Sequence, residues 1–343
     1  MSVSSPDSTP PRRTRIIRRG VAMVAALIAL YLFLPSIGEV LSAWPRLAHL
    51  DPLWIGAALL AEVASFSCVW WLLSLALRST NWFAISTSQL AANALSRVVP
   101  AGAAAGATLQ YRMLAASGVD TAAAGSALTA VTLLQLATLS AIPVLGLILS
   151  LSGQPINGGL REAAWIGMGF FVALMAVGAV LVTSDRVVSL LGRAIQAVRN
   201  RVLRHRPAVR DLPGRLRDER NLVRQALGEN WAAALFATVG KWAFDYGALL
   251  GSLAAVGARP NPGLVLLAYA ASQVLVMIPI TPGGLGFVEA GLTGVLALAG
   301  VSAGDAVLAT LTYRLVSFWL PLPGGLVSYA IFRRRYRAEL KAA

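Results

Sequence analysis

The sequence predicts an all-α polytopic integral membrane protein, with about six full spans and two oppositely oriented re-entrant broken hairpins. Three observations predict it. Hydrophobic residues make up 57% of the 343 residues, charged residues only 13%, and mean hydropathy is +0.69; soluble domains carry roughly twice that charge fraction. Several apolar runs approach or exceed the roughly 20 residues that a spanning helix needs. The cations, 27 of them Arg among 29, are unevenly spread between the runs.

Residues 1–20 read as a disordered basic tail, Pro/Ser-rich and then carrying Arg12, Arg13, Arg15, Arg18 and Arg19. The apolar run from Val21 has a signal-peptide flavour, but no small-x-small cleavage site follows, so 21–42 is read as an uncleaved first span. The second span covers about 53–77 and ends at Arg78. The stretch 81–117 is rich in small and polar residues and holds Arg97, Pro100 and Gly102 at its centre. Proline removes a backbone N–H and glycine permits sharp turns, so this stretch reads as a broken hairpin. Spans at about 122–150 and 163–183 follow.

Residues 185–230 form the long hydrophilic segment, with 11 Arg against five acids. Val187, Leu190, Leu191, Ala194, Ile195 and Val198 recur at helical spacing, as in an amphipathic helix lying on a membrane. A solvated loop with some helix is the alternative. The fifth span covers about 231–256 and the sixth about 305–332, with a second broken region, 263–300, between them. That region contains MIPITPGGLGFVEAGLTG, where Pro279, Pro282, Gly283, Gly284 and Gly286 interrupt the helix beside one carboxylate, Glu289. Freed backbone groups in hydrocarbon cost several kcal/mol each unless protein or water meets them. The break therefore belongs among other helices or against a wet cavity; a simple loop between spans is the bland alternative. The membrane domain is thus bounded at 21–335, and 336–343 is a basic tail.

With the N-terminus inside, 23 cations fall on the inner side and three (Arg46, Arg161, Arg259) on the outer. That asymmetry orients a multi-pass protein of the cytoplasmic membrane with both termini cytoplasmic. It requires 81–117 to enter and leave on the inner side, and 263–300 on the outer. Oppositely directed broken segments in the two halves are a sequence mark of an inverted repeat with a site near the midplane.

Charges within spans suggest function. Glu62, Arg97, Lys241, Asp245, Glu289 and Arg314 lie in apolar stretches, with Arg112 and Asp305 nearer the ends. Lys241 and Asp245, four apart, can pair on one helix and read as structural. Glu62 can pack against Ser65 or a neighbouring helix. Arg97 beside a break suits a phosphate, which a guanidinium grips bidentately. Arg314 can serve the same phosphate or pair with Glu289, and a structural Arg–Glu clamp between hairpins is the competing reading.

Enzyme chemistry is poorly supplied. No nucleophile elbow, phosphate loop or dinucleotide fingerprint is present, and His49 and His205 lack metal-ligand spacing. No catalytic residue, metal or cofactor is expected. The Arg-rich segments suit anionic headgroups; without an aromatic-interleaved basic platform, nucleic acid is not expected as a partner. Cys68, the sole cysteine, permits no intrachain disulfide.

The run IPITPGGLGFVEAGLTGVLALAGVSAGDAVLATLTYRLVSFWLPLPGGLVSY, with the earlier LSRVVPAGAAAGATLQYRMLAASGVD, resembles the lysylphosphatidylglycerol synthase transmembrane domain family, also called flippase-like. The resemblance covers about 20–335. It implies movement or binding of an anionic or aminoacylated phospholipid. Eleven residues follow the last span, so aminoacyl transfer is not expected, and a stand-alone member need not handle lysyl lipids. The positions carried over as substrate-binding are Arg97, Pro100, Gly102, Arg112, Pro282, Gly283, Gly284, Gly286, Glu289 and Arg314. The resemblance and the Arg-rich loop also leave room for a second role, a partner module presenting lipid to a separate glycosyl- or aminoacyl-transferase.

Overall fold

Each apolar run becomes a helix whose ends are set by the residues flanking it. The structure is a computed structural model that describes residues 50–99, 102–150, 230–277 and 281–339, with scattered positions between 162 and 228. The expected span at 21–42 lies outside the described residues. So do both tails in large part and Pro100, while the span at 163–183 and the amphipathic segment 185–230 are described only at scattered positions.

Helix α1, Pro52–Leu77, starts where the Asp51 carboxylate accepts from Leu53 N–H (2.9 Å) with Pro52 in the first turn. It ends at Arg78 in the left-handed region (φ 48°), where Ser79 N–H returns to the Ser74 carbonyl. Helix α2, Trp82–Val98, is capped by the Asn81 side chain accepting from Ala84 N–H (3.1 Å). After residues 99–101 the chain resumes as α3, Gly102–Ala116, and then as α4, Thr121–Ser150. Across the undescribed stretch, α5 covers Trp231–Ala255 and α6 Pro262–Met277. A 3-10 turn at Pro282–Gly284 precedes α7, Phe287–Leu298. Helix α8, Ala303–Arg314, is capped by Ser302, whose hydroxyl accepts from Asp305 N–H (3.2 Å). It passes through one widened π turn, Leu315–Trp319, into α9, Pro321–Arg335. The described residues form helices and turns without strands.

Three of these runs are long and apolar enough to cross a membrane: α1, Thr121–Gly146 of α4, and the continuous Ala303–Arg335; α6 and α7 are shorter apolar helices. Large apolar side chains such as Leu60, Phe236 and Leu326 point outward, while Ser88, Thr238, Ser252 and Thr310 are buried. That inversion suits a hydrocarbon surround, where apolar side chains are at home outside and hydroxyls must find partners within.

Small residues let the helices approach. Gly251 of α5 lies on Ala58 of α1, and Gly325 of α9 lies against Ala94 and the Leu90 carbonyl of α2. Gly102 and Gly106 press α3 onto Ser96 and Ala92 of α2, so this small-residue face serves packing within the hairpin.

The contacts fix the direction of the two broken hairpins. At one end of the bundle, Leu77 clusters with Leu114, Ala124 and Ala234, and the Asn81 side chain donates to the Tyr336 hydroxyl (3.5 Å). At the other end, Asp51 N–H meets the Ala255 carbonyl (3.4 Å), and Val301 and Ala306 join the cluster of Leu253. The α2–α3 hairpin therefore opens at the first end and the α6–α7 hairpin at the second. Their breaks point toward each other.

Candidate functional site

The site begins with a backbone defect. Pro321 lacks the N–H that would return to the Ser317 carbonyl, and the helix widens into the π turn just before it. Arg97, in the last turn of α2, donates Nη1–H to that carbonyl. Its guanidinium also lies over the Phe318 ring, 5.0 Å from the centroid. Arg314 approaches the same ring at 4.2 Å, so Phe318 receives both cations.

Arg314 is buried and donates two hydrogen bonds. Its Nε–H donates to Glu289 Oε1 at 2.7 Å and its Nη2–H to the Gly283 carbonyl at 3.1 Å. Arg314 also faces the cavity behind the breaks; its pairing with Glu289, one of the readings the sequence leaves open, is present. It ties the first turn of α7 and the 3-10 turn to α8. Gly283 (φ 62°), whose backbone turn requires the missing Cβ, packs against the Arg97 carbonyl, so the two breaks touch.

Behind these breaks lies a cavity of about 800 Å³ lined by residues of α1 to α8, the π turn and both breaks. Gly102, Ala103 and Ala104 present the first turn of α3 to it, where backbone N–H groups have no helical partner. A second polar network crosses its wall. Lys241 Nζ donates to Asp245 Oδ2 at 3.0 Å, the Tyr313 hydroxyl donates to Asp245 Oδ1 at 2.7 Å, and Gln273 Nε2 donates to that hydroxyl at 3.3 Å. The expected Lys241–Asp245 pair is thus present, extended from α5 to α6 and α8 through Tyr313.

The residues carried over from the sequence divide into groups. Arg97, Gly102, Gly283, Gly284 and Arg314 line the cavity. Glu289 stands beside it, held by Arg314. Pro282 opens the 3-10 turn. Gly286 (φ 76°) is exposed before α7 and Arg112 is exposed on α3; the structure brings neither to the cavity lining. Arg112, carried over from the family resemblance, lies two further turns along α3, toward the first end of the bundle.

Several cavity residues escaped the sequence reading. Gln89, Asn93 and Ser96 join Arg97, already singled out from the sequence, in one polar face of α2, spaced by four, three and one, and all line the cavity. That helical spacing in an apolar context was a usable signal. Glu62, named from the sequence, lines the cavity together with Ser65, whose hydroxyl donates to the Lys241 carbonyl (3.0 Å).

Helices with outward apolar faces, enclosing a polar cavity at broken segments, define an α-helical membrane protein. The chain belongs to the family described as the lysylphosphatidylglycerol synthase TM region, whose model matches residues 20–325. It is 32% identical over 93 residues to a UPF0104 membrane protein of Methanothermobacter thermautotrophicus, covering 27% of this chain and 26% of the relative. A UPF0104 membrane protein of Pyrococcus horikoshii is 41% identical over 64 residues, 18% of this chain and 19% of that one. The chain therefore matches about a quarter or less of the length of these relatives.

Proposed function

We propose that this protein moves a phospholipid, or a lipid-linked headgroup, between the leaflets of the cytoplasmic membrane. The observation that carries the reading is the cavity where two oppositely opening broken hairpins meet, with Arg97 partly accessible in its wall. A charged headgroup crossing hydrocarbon alone loses its hydration at a cost of many kcal/mol; a polar cavity at mid-depth replaces part of that hydration. Arg97 and the first turn of α3 take the phosphate, while the acyl chains stay in lipid. Arg314 and Glu289 hold the second break in place rather than touching the substrate.

In this reading, four of the six full spans and the two re-entrant hairpins form an inverted repeat. Each half runs long helix, broken hairpin, long helix: α1, α2–α3, α4 and then α5, α6–α7, α8–α9. Both termini are cytoplasmic, no bond is made or broken, and no cofactor takes part.

The test is leaflet exchange of acyl-labelled phospholipids in proteoliposomes. The intact protein is expected to exchange lipid, and Arg97→Ala to slow that exchange at least about ten-fold with folded protein retained. Equal exchange by both overturns the role of Arg97. Exchange by neither, across several headgroups, overturns translocation. The alternative, a partner module presenting lipid to a separate transferase, is favoured by the 11 Arg of 185–230, a basic docking face for such an enzyme. Co-elution of a stoichiometric transferase in mild detergent, without exchange, would support it.

A further inference from the structure

Three cations and three acids stand in or beside the cavity: Arg97, Lys241 and Arg314 against Glu62, Asp245 and Glu289. With all six ionised, their charges sum to zero. Two of the acids are held in that state. Asp245 accepts from Lys241 Nζ and from the Tyr313 hydroxyl, and Glu289 accepts from Arg314 Nε. Glu62 differs. It is only 7% exposed, and its Oε2 is buried without a hydrogen-bond partner among the described residues.

The register of α1 against α2 sets what Glu62 faces. Trp70 Nε1 donates to Gln89 Oε1 at 3.2 Å, and the short turn 78–81 makes the two helices antiparallel. Glu62 is two turns before Trp70 and Arg97 two turns after Gln89, so the two charges stand at one depth and act on each other across the cavity. The other groups that act on Glu62 are Asp245 and Lys241 on α5, Tyr269 on α6 and Tyr313 on α8; α4 carries no titratable residue over 121–150. A buried carboxylate oxygen without a donor is costly, and a proton removes both its charge and its deficit. The added O–H then needs an acceptor. Asn93 Oδ1, on the α2 face between Gln89 and Arg97, is a buried acceptor without a donor among the described residues.

We propose that Glu62 is a proton-binding site, and that the proton is a co-substrate entering the cavity together with an anion. With Glu62 ionised, an anion makes the six groups net negative. With Glu62 protonated, they sum to +1, centred on Arg97, and an anion restores neutrality. Each ligand therefore favours the other by the same factor. This rests on the reading of the cavity as a lipid passage. The proton gradient then supplies the work for moving an anionic lipid, with one proton and one lipid travelling in the same direction. The carboxyl O–H forms on loading and breaks on release, returning the proton to water.

Two measurements test it. In the first, the reconstituted full chain is treated with dicyclohexylcarbodiimide, an apolar reagent that modifies protonated carboxyls, over about pH 5 to 9, and the modified residue is found by peptide mass spectrometry. Glu62 is expected to react, less so as pH rises, with Asp245 and Glu289 unmodified. In the second, saturating short-chain phosphatidylglycerol is added to the detergent-purified chain in weakly buffered solution with a pH dye. The intact protein is expected to take up protons, approaching about one per chain at the best pH. Glu62→Gln is expected to take up none; carbodiimide-treated intact protein should behave likewise, which serves if the variant does not fold. Modification of Glu62 at no pH, absence of uptake by the intact protein, or equal uptake by Glu62→Gln overturns the proposal. Lipid-linked proton uptake by a protein that exchanges no lipid in proteoliposomes overturns translocation alone and leaves the proton site standing.

Discussion

Gly283 in the second break lies against the backbone carbonyl of Arg97 in the first: a Cβ built on Gly283 would stand 2.7 Å from that oxygen. It would also meet Phe318 Cε2 at 2.6 Å. Neither neighbour gives way easily, one being backbone and the other a buried ring approached by two guanidiniums. Gly283→Ala therefore adds a steric cost of about 1–3 kcal/mol to the roughly 1–2 kcal/mol of a left-handed backbone. Gly286→Ala is the control, since Gly286 has a positive φ but nothing within 4 Å of the added Cβ. Thermal melts in detergent are expected to show Gly283→Ala clearly below Gly286→Ala. Equal melting temperatures would mean that the two breaks do not bear on each other.

The Arg314–Glu289 pair predicts a pattern across three variants. Removing one partner strands a buried charge, at about 3–5 kcal/mol. Removing both leaves two neutral groups and costs less than the sum of the single changes. Glu289→Gln and Arg314→Met are thus each expected to lower folded yield and melting temperature, with the double variant above the additive expectation. Additive losses would show that the pair contributes no coupling and that the clamp is an incidental contact.

Much of this architecture was legible because proline, glycine and charge report strongly in an apolar chain. The runs at 53–77, 122–150 and 231–256 correspond to α1, α4 and α5 within a residue or two, since a polar or left-handed terminus bounds them. The second break was visible in Pro282-Gly283-Gly284, and three consecutive demands on the backbone are hard to satisfy otherwise. What stayed hidden depended on partners distant in sequence. Nothing local to Arg97 indicates that Pro321, over 200 residues later, leaves the Ser317 carbonyl for it to meet. Nothing around Tyr313 announces its donation to Asp245 across 68 residues. Arg112, carried over from the family resemblance, sits on α3 away from the cavity lining, a placement that follows from the length of that helix.

The opposed hairpins make a topological prediction that chemistry can read directly. Thr80, between α1 and α2, and Arg337, after α9, are exposed at the end where the first hairpin opens. Arg259, between α5 and α6, and Ser302, between α7 and α8, are exposed at the other. In a Cys68→Ala background, which removes the sole thiol, a single cysteine at each position can be labelled with a membrane-impermeant maleimide in intact cells. Cysteines at 259 and 302 are expected to react from outside, and those at 80 and 337 only after the membrane is opened, following the inward excess of Arg. The pair 80 and 337 tests the first hairpin, because a spanning α2–α3 segment without re-entry would separate α1 and α9 differently. The pair 259 and 302 tests the second, since a full crossing between them would put them on opposite sides. Reaction of 302 with 80 rather than with 259 would break the inverted arrangement, and with it the reason for placing the cavity at mid-depth.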